Sequence, residues 1–393
     1  MKITDIVLFE VKGEWVAPPF PAGDRNAQQL DIYDAYGPDW GKVEPSSDPQ
    51  PISGIFVEIR TDEGVSGFYG SLYAHQAFLI STELKPFLLG RDALATEQLQ
   101  DLMLRFDRHG RSGMFMNAIS AIDCALWDLK GKAWNQPVYR LLGGPTRNEV
   151  PAYASMLGFS IQPQAAAWVA EEYKELGYTA QKWFMRFGPA HGAEGKQKNL
   201  DMAYAVREAV GAHYPLMFDA FMAWDVNYAV EIGKGLEKMN PTWLEEPLPP
   251  EQVGGFKRLR EAVQIPIATG EHVHGRWQSK ELLEQGAVDY LQNDPDWTGG
   301  ISEQVKICHL ASAYSTPVVA HGHSLLPALH VAAAQSPTTV PYVEYLIRHQ
   351  ENKQYFQKEI YRPEGGMVKL PSMPGLGLDL DEEKILEKKI LEF

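Results

Sequence analysis

The chain has 393 residues, 45% of them apolar and 11% aromatic, and a formal net charge of −15 at pH 7. It is longer than one typical domain and can bury a sizeable core, while its acidic balance excludes the clustered Lys and Arg of a nucleic-acid footprint. Two cysteines, Cys124 and Cys308, exclude a disulfide framework, and no apolar run approaches the roughly 18 residues that a membrane span requires.

The amino end, MKITDIVLFEVKG, alternates like a strand and lacks the apolar centre and small-residue cleavage site of a signal peptide. The expectation is a cytoplasmic protein whose cysteines are buried core thiols. Residues 1 to about 70 read as an antiparallel meander: a first strand, a Pro-rich and aromatic loop from Trp15 to Trp40, then two alternating runs joined at Asp62, Glu63 and Gly64, a hairpin signal. Helical patterning dominates from about 76 to 142, with Ile119, Ile122, Ala125, Leu126 and Leu129 on one face and Gly143 and Gly144 as the stop. Strands followed by helices predict a separate α+β domain over 1–145.

From Val150 the pattern changes to short apolar runs at near-regular intervals: VPAYASM, AQKWFM, PLMFDAF, PTWLEEP, PIATGEH, VDYLQND, TPVVAHG and VPYVEYL. Most of the segments between them carry amphipathic helices. In the one after the second run, Met202, Ala205, Val206, Ala209 and Val210 recur at helical spacing. Eight strands in this rhythm predict a (β/α) barrel over 146–349. The Gly- and Pro-punctuated tail, 350–393, is too irregular for another barrel helix and is expected to return to the first domain. The fold class is thus α/β: a modified TIM-type barrel with an α+β cap built from the amino-terminal region and the tail.

Six chemically competent residues end barrel runs at intervals of roughly 25 residues, one strand plus one helix apart: Asp219, Glu245, Glu271, Asp294, His321 and Glu344. A parallel barrel gathers such strand ends at one mouth. Asp219, Glu245 and Glu271 offer hard oxygen ligands suited to Mg²⁺ or Mn²⁺. Strand alternation means that Glu246 points away if Glu245 points in. Asp294 and His321 end neighbouring strands, close enough for the carboxylate to fix the imidazole tautomer and stabilise its charged form; Asp296 competes with Asp294 but lies past the strand end. Lys182 is placed to neutralise a substrate carboxylate, to act as a base or to pair with a metal-site carboxylate. His272 and Arg186 are candidate substrate contacts. His272-Val-His274 and His321-Gly-His323 also raise a zinc-hydrolase reading, against which the first barrel strand, VPAYASM, carries no ligand.

These residues resemble the mandelate racemase group of the enolase superfamily over essentially the whole chain. AISAIDCALWDLKGKAWNQPVYRLLG is similar to that group's signature between cap and barrel, and Asp219 with LEEP to its second signature. Within the group, RFGPAHG, FDAFMAWDVNYA, WLEEPLPP, TGEH, DWTGG and VVAHG most resemble L-rhamnonate dehydratase and related sugar-acid dehydratases. The resemblance implies Glu245 rather than Glu246 as the metal ligand, the Asp294 and His321 dyad as the base, and Glu344, if protonated, as a donor to an oxyanion. It also favours a symmetric homo-oligomer. Two departures stand out: Phe184 occupies the second position of the usual Lys-x-Lys, and Phe221 replaces the Asn or His that usually follows the metal-binding Asp by two residues.

The implied reaction is removal of the proton α to a carboxylate by His321, through a Mg²⁺-stabilised enediolate, then loss of the β-hydroxyl to give a 2-keto-3-deoxy acid. Racemisation by Lys182 and His321 is the nearest rival, and a non-catalytic sugar-acid binder of the same fold is another. Specificity is expected from the cap loops Trp15 to Trp40 and Gly70 to His75, with the basic cluster Arg108, His109 and Arg111 as a further candidate contact.

Overall fold

The computed structural model describes residues 1–36 and 48–393. Strands β1 (Ile3–Trp15), β2 (Gln50–Thr61) and β3 (Ser66–Leu72) form an antiparallel sheet, hairpinned at Asp62 to Gly64 as the pattern predicts. Both faces of this sheet are covered, which is why the middle of β1 is apolar without interruption. Ile6 and Leu8 face the main core with Val57, Ile59 and Tyr69. Val7, Phe9 and Val11 face a smaller cluster with Phe56 and Phe356.

The main core lies between the sheet and the helix Gly113–Ala133, where Ile119, Ile122, Ala125, Leu126 and Leu129 are fully buried, as is Cys124. Three buried polar side chains on this helix fasten it to other parts of the chain. Ser120 accepts the Gly299 amide (2.9 Å), and Asp123 accepts the amide (2.9 Å) and hydroxyl (2.6 Å) of Ser302. Asp128 accepts the amides of Phe68 in β3 and Leu376 in the tail, each at 2.8 Å. Buried acceptors satisfied in this way select one docking geometry, because any displacement leaves them unpaired.

The second sheet is built from β4 (Glu149–Ser155), β5 (Gln181–Phe184), β6 (Leu216–Asp219), β7 (Trp243–Glu245), β8 (Ile267–Thr269), β9 (Tyr290–Leu291) and β10 (Val343–Leu346), all parallel, in the order β10-β4-β5-β6-β7-β8-β9. The expected seventh barrel strand, TPVVAHG, is not a regular strand. It is reduced to one parallel bridge between Leu291 and Val318. Pro317 has no amide to donate, and the amide of Val318 turns to Thr339 O (2.7 Å) while that of Val319 reaches Leu291 O (2.8 Å). With Leu291 N to Pro317 O (3.0 Å) and His321 N to Gln292 O (3.2 Å), the segment joins β9 by three main-chain bonds, while on its other side the Val318 bond goes to Thr339, before β10. The helix Gly192–Val210 also differs from expectation: its buried stripe is Met202, Ala203, Val206, Arg207 and Val210, leaving Ala205 and Ala209 only half-buried.

The tail returns as the fold class requires. Strand β11 (Met367–Lys369) pairs antiparallel with the start of β4, and β12 (Glu387–Ile390) adds to the edge of β1, Phe9 opposite Ile390. His330 ties this return to the barrel. Its Nδ1 accepts the Tyr139 amide (3.1 Å) and its Nε2 lies 3.1 Å from Leu376 O, an arrangement only a neutral imidazole satisfies. Burial pushes its pKa down to about 4, partly offset by the Leu376 carbonyl.

A His depressed in the folded state stabilises the fold above the unfolded pKa near 6.5 and loses that contribution as pH falls toward 4. Replacing His330 by Gln is therefore expected to lower stability at pH 7 and to remove up to one proton's slope, roughly 1.4 kcal/mol per pH unit, from the stability profile between those values. Urea unfolding across pH checks it; an unchanged slope refutes it.

Candidate active site

Strand alternation builds the site in layers. Tyr153, Ala180, Met217, Trp243, Ala268 and Val319, all fully buried, fill the barrel interior. Two residues further along the same chain segments stand Ser155, Lys182, Asp219, Glu245 and His321, and Glu344 follows Tyr342 in the same way. The predicted site residues are thus brought to one mouth, and Lys182, Asp219, Glu245, Glu271, Asp294 and Glu344 are all buried.

At the centre is the Lys182 ammonium, 3.2 Å from Asp219, 2.8 Å from Glu344 and in direct contact with Glu245. Burial alone would release its proton, but these three carboxylates hold it charged, well above the ordinary lysine value. Of the roles the sequence leaves open for Lys182, the geometry is that of a counter-ion. Burial pushes Asp219 up to about 6, Glu271 to about 7 and Glu245 to about 8, the Lys182 charge opposing each shift. Glu344 behaves differently: burial is outweighed by Lys182 and His321, which bring it down to about 2. It is an anion that accepts the Gly322 amide (2.8 Å), so the expected protonated donor is not what this arrangement provides.

His321 Nδ1 lies 2.9 Å from Asp294 Oδ2, and its Nε2 faces Glu271 at 3.8 Å. Burial lowers its pKa, but the Glu271 charge and the Asp294 hydrogen bond reverse that and raise it to about 10. The indole of Trp297 stacks on the imidazole at 4.7 Å and 26°. Asp296, the sequence competitor for Asp294, has its own imidazole partner, His323, at 2.6 Å. The paired spacings Asp294-x-Asp296 and His321-x-His323 carried that signal, and Trp297 sits in the quoted DWTGG run.

Alternation stops at Glu245. Glu246 adopts a positive φ of 37°, and Phe221 and Met222 do the same at 53° and 58°, strain that clusters at the mouth. As a result Glu246 does not turn away. Its carboxylate accepts from Thr269 Oγ1 (3.0 Å) and meets His272 Nδ1 (2.9 Å), which is 3.4 Å from Glu271. Among the described residues, Glu246, Glu271 and His272 are the one group whose ligand atoms lie within 4.8 Å of one another. The expected trio is not within that distance: Asp219 and Glu245 share the Lys182 ammonium, while Glu271 faces His272 and His321. That trio nevertheless fits a hard divalent cation: its oxygens are the right donors, and burial makes their anionic forms costly without added positive charge. The Trp297 Nε1 atom is buried without a hydrogen-bond partner among the described residues. His274 lies past the end of β8 in an outer groove with Arg111 and Trp277, so the two histidines of His272-Val-His274 do not share a ligand set.

Arg186 is buried and its guanidinium pairs with Asp31 (3.3 Å), which also binds Arg25 (2.5 Å). The amino-terminal loop lies across the ends of β4 and β5: Asp24 accepts the Ile161 amide (2.9 Å), and the Ala27 amide donates to Met185 O (2.7 Å). Gly23 packs so closely on Gly158 that a Cβ would sit 1.8 Å from its carbonyl oxygen. The far end of the predicted lid, including Trp40, lies outside the described residues. Tyr73, in the Gly70 to His75 loop, contacts His323 Nε2 at 2.8 Å. Arg108, His109 and Arg111 contact one another on an exposed surface of the cap, with Arg111 lining the outer groove.

Two family models match: an N-terminal domain of the mandelate racemase and muconate lactonizing enzyme type over residues 49–143, and an enolase C-terminal domain-like model over residues 164–384. An L-rhamnonate dehydratase from Saccharopolyspora erythraea is 35% identical over 345 residues, 85% of each chain. A crystal structure of rhamnonate dehydratase from Gibberella zeae complexed with Mg is 29% identical, covers 98% of this chain and 95% of that one, and superposes with a TM-score of 0.83. The 3,6-anhydro-D-galactonate cycloisomerase from Zobellia galactanivorans is 29% identical with 98% of each chain covered and a TM-score of 0.76.

Replacing Lys182 by Met leaves three buried carboxylates without their shared counter-charge. The expected cost in chelator is about 3–5 kcal/mol by urea unfolding, and millimolar divalent cation should narrow the deficit by binding the folded site. A deficit that does not change with cation would refute the shared-site reading.

Proposed function

The chain belongs to the mandelate racemase and muconate lactonizing enzyme family of enolase-like proteins, and we propose that it is a magnesium-dependent sugar-acid dehydratase, a carbon-oxygen lyase acting on an aldonate or aldarate. The observation that carries the reading is the Asp294–His321 pair, whose free Nε2 opens onto the buried carboxylates at the barrel mouth. The dehydratase relative and the Mg-complexed dehydratase structure support the substrate class and the metal.

Asp219, Glu245 and Glu271 are the proposed ligands. When bound there, Mg²⁺ supplies Lewis-acid stabilisation of the charge that develops on a substrate carboxylate. Asp294 keeps the proton on His321 Nδ1, leaving Nε2 as the basic atom. A cation held at Glu271 would offset the charge that raises the His321 imidazole. Nε2 takes the proton α to the carboxylate; the resulting imidazolium returns that proton to the departing β-hydroxyl on the same face, which leaves as water. The enol product tautomerises to a 2-keto-3-deoxy acid. Trp297 covers one face of the imidazole and limits water access there.

Elimination is favoured over racemisation by what stands at β5. Phe184 places an aromatic ring 5.2 Å from the Lys182 ammonium, where a second base would be needed, and Lys182 itself is held protonated by three carboxylates. Racemisation needs a competent group on each face of the planar intermediate.

The test is a screen of aldonic and aldaric acids for 2-keto product, with and without chelator. Metal-dependent product is expected from a small set of related acids, and deuterium exchange without loss of hydroxyl would favour racemisation instead. His321→Asn should lower turnover by at least about 10²-fold while leaving Mg²⁺ affinity, read by calorimetry, unchanged. Glu245→Gln should weaken Mg²⁺ binding more than Glu246→Gln; the reverse order would move the ligand set to Glu246, Glu271 and His272.

A further inference from the structure

Two Asp–His pairs stand side by side where the barrel ring is most weakly closed. Asp294–His321 belongs to the site already described. The second pair, Asp296–His323, is displaced by two residues in both segments and has a different set of partners. His323 Nδ1 lies 2.6 Å from Asp296 Oδ2, and its Nε2 lies 2.8 Å from the Tyr73 hydroxyl. Lys353 Nζ lies 3.2 Å from Asp296 Oδ2 and 2.7 Å from His323 Nδ1. The hydroxyl of Tyr69, in β3 of the cap, donates to Asp296 from the other side. Tyr69, Asp296 and His323 are all buried.

The two pairs are joined through backbone as well as through rings. Asp294 Oδ1 accepts the amide of Asp296 (2.7 Å), and Asp294 Oδ2, the atom that meets His321, accepts the amide of His323 (3.2 Å). Trp297 packs against both imidazoles, stacked on His321 at 4.7 Å and tilted by 39° against His323 at 5.1 Å. The Asp294 carboxylate is therefore held by the main chain of the same two residues whose side chains form the second pair. The main-chain ladder between these segments is short: β9 is two residues long, and Leu291 N to Pro317 O (3.0 Å), Val319 N to Leu291 O (2.8 Å) and His321 N to Gln292 O (3.2 Å) join it to the segment that carries His321, with side chains making the contacts beyond.

We propose that Asp296 and His323, tied to the cap by Tyr69 and Tyr73, form a positioning staple that continues the hold on these segments past the end of their short ladder and fixes Asp294, and through it the ring of His321. The role in turnover rests on the reading of His321 as the base; the staple itself does not. None of the four residues need touch substrate. Orienting the base to within a fraction of an ångström is a large kinetic effect, since a displacement of about 1 Å costs on the order of 10²-fold.

The test compares His323→Ala with His323→Asn in the full chain. Both keep the residue-323 amide that donates to Asp294. Only Asn keeps a side-chain N–H near the Nδ1 position for Asp296. His323→Ala is expected to speed amide hydrogen exchange at residues 296 and 323 and to lower kcat roughly 10- to 100-fold, with KM within about twofold of the parent. His323→Asn should restore most of both. Unchanged exchange in His323→Ala, or a loss that Asn does not recover, overturns the proposal. If the parent protein dehydrates no sugar acid, the exchange readout still decides the staple, and only the functional reading falls. If His323→Ala does not fold, Tyr69→Phe keeps the Asp296–His323 pair and removes a tie to the cap; faster exchange at the Asp296 amide is expected, and unchanged exchange there overturns the staple.

Discussion

The arrangement of the mouth is governed by a charge balance that no single residue satisfies. Asp219, Glu245 and Glu344 surround the Lys182 ammonium in a space closed to solvent, and Glu271 and Glu246 stand beside them with histidines as their nearest cations. Carboxylates at this depth persist as anions only while positive charge is within a few ångströms. One lysine cannot compensate them all, and the upward shifts of Asp219, Glu245 and Glu271 record the deficit. The Glu271 charge and the Asp294 hydrogen bond raise His321, while Glu344, placed against Lys182 and His321, is held as an anionic acceptor. The demand for added positive charge and the raised basicity of the imidazole thus both arise from the same buried carboxylates.

That field needs a rigid frame, and the frame is assembled from three separated parts of the chain. The helix Gly113–Ala133 presents Ser120 and Asp123 to the barrel segment around Gly299 and Ser302, and Asp128 to the β3 edge and the tail. Ser120 and Asp123 are buried acceptors whose long-range donors come from the barrel segment, and Asp128 takes its long-range donors from β3 and the tail. Hydrophobic contact alone would permit sliding; buried acceptors with fixed donors do not. The cap is in this way registered to the mouth it covers, which is what allows Tyr69 and Tyr73 to reach the barrel loops.

Much of this was legible in the amino-acid order. The strand-and-helix rhythm and the residues at the strand ends depend on local alternation, and local alternation is a sequence property. The seventh strand was not legible in the same way: TPVVAHG has the composition of a strand, but whether it pairs depends on where Thr339 and Leu291 place their carbonyls. Glu246 was misjudged because alternation was carried one residue past the end of β7, where its backbone is left-handed. The ionised state of Glu344 follows from its distance to Lys182, a separation of 162 residues that no motif encodes. β12, with the sequence EKKI and all four residues exposed, has no apolar face to announce it.

The weakly closed seam between β9 and β10 has a consequence for how such a barrel can change over generations. The wall that carries the imidazole is joined to its neighbours by isolated main-chain bonds and by side chains, whereas the walls that carry Asp219 and Glu245 are held by continuous main-chain ladders. Substitutions along the seam can tilt the imidazole without disturbing the ladders opposite. The half of the mouth that carries Asp219 and Glu245 is then inherited as a fixed platform, and the half that carries His321 is the part whose geometry selection can change.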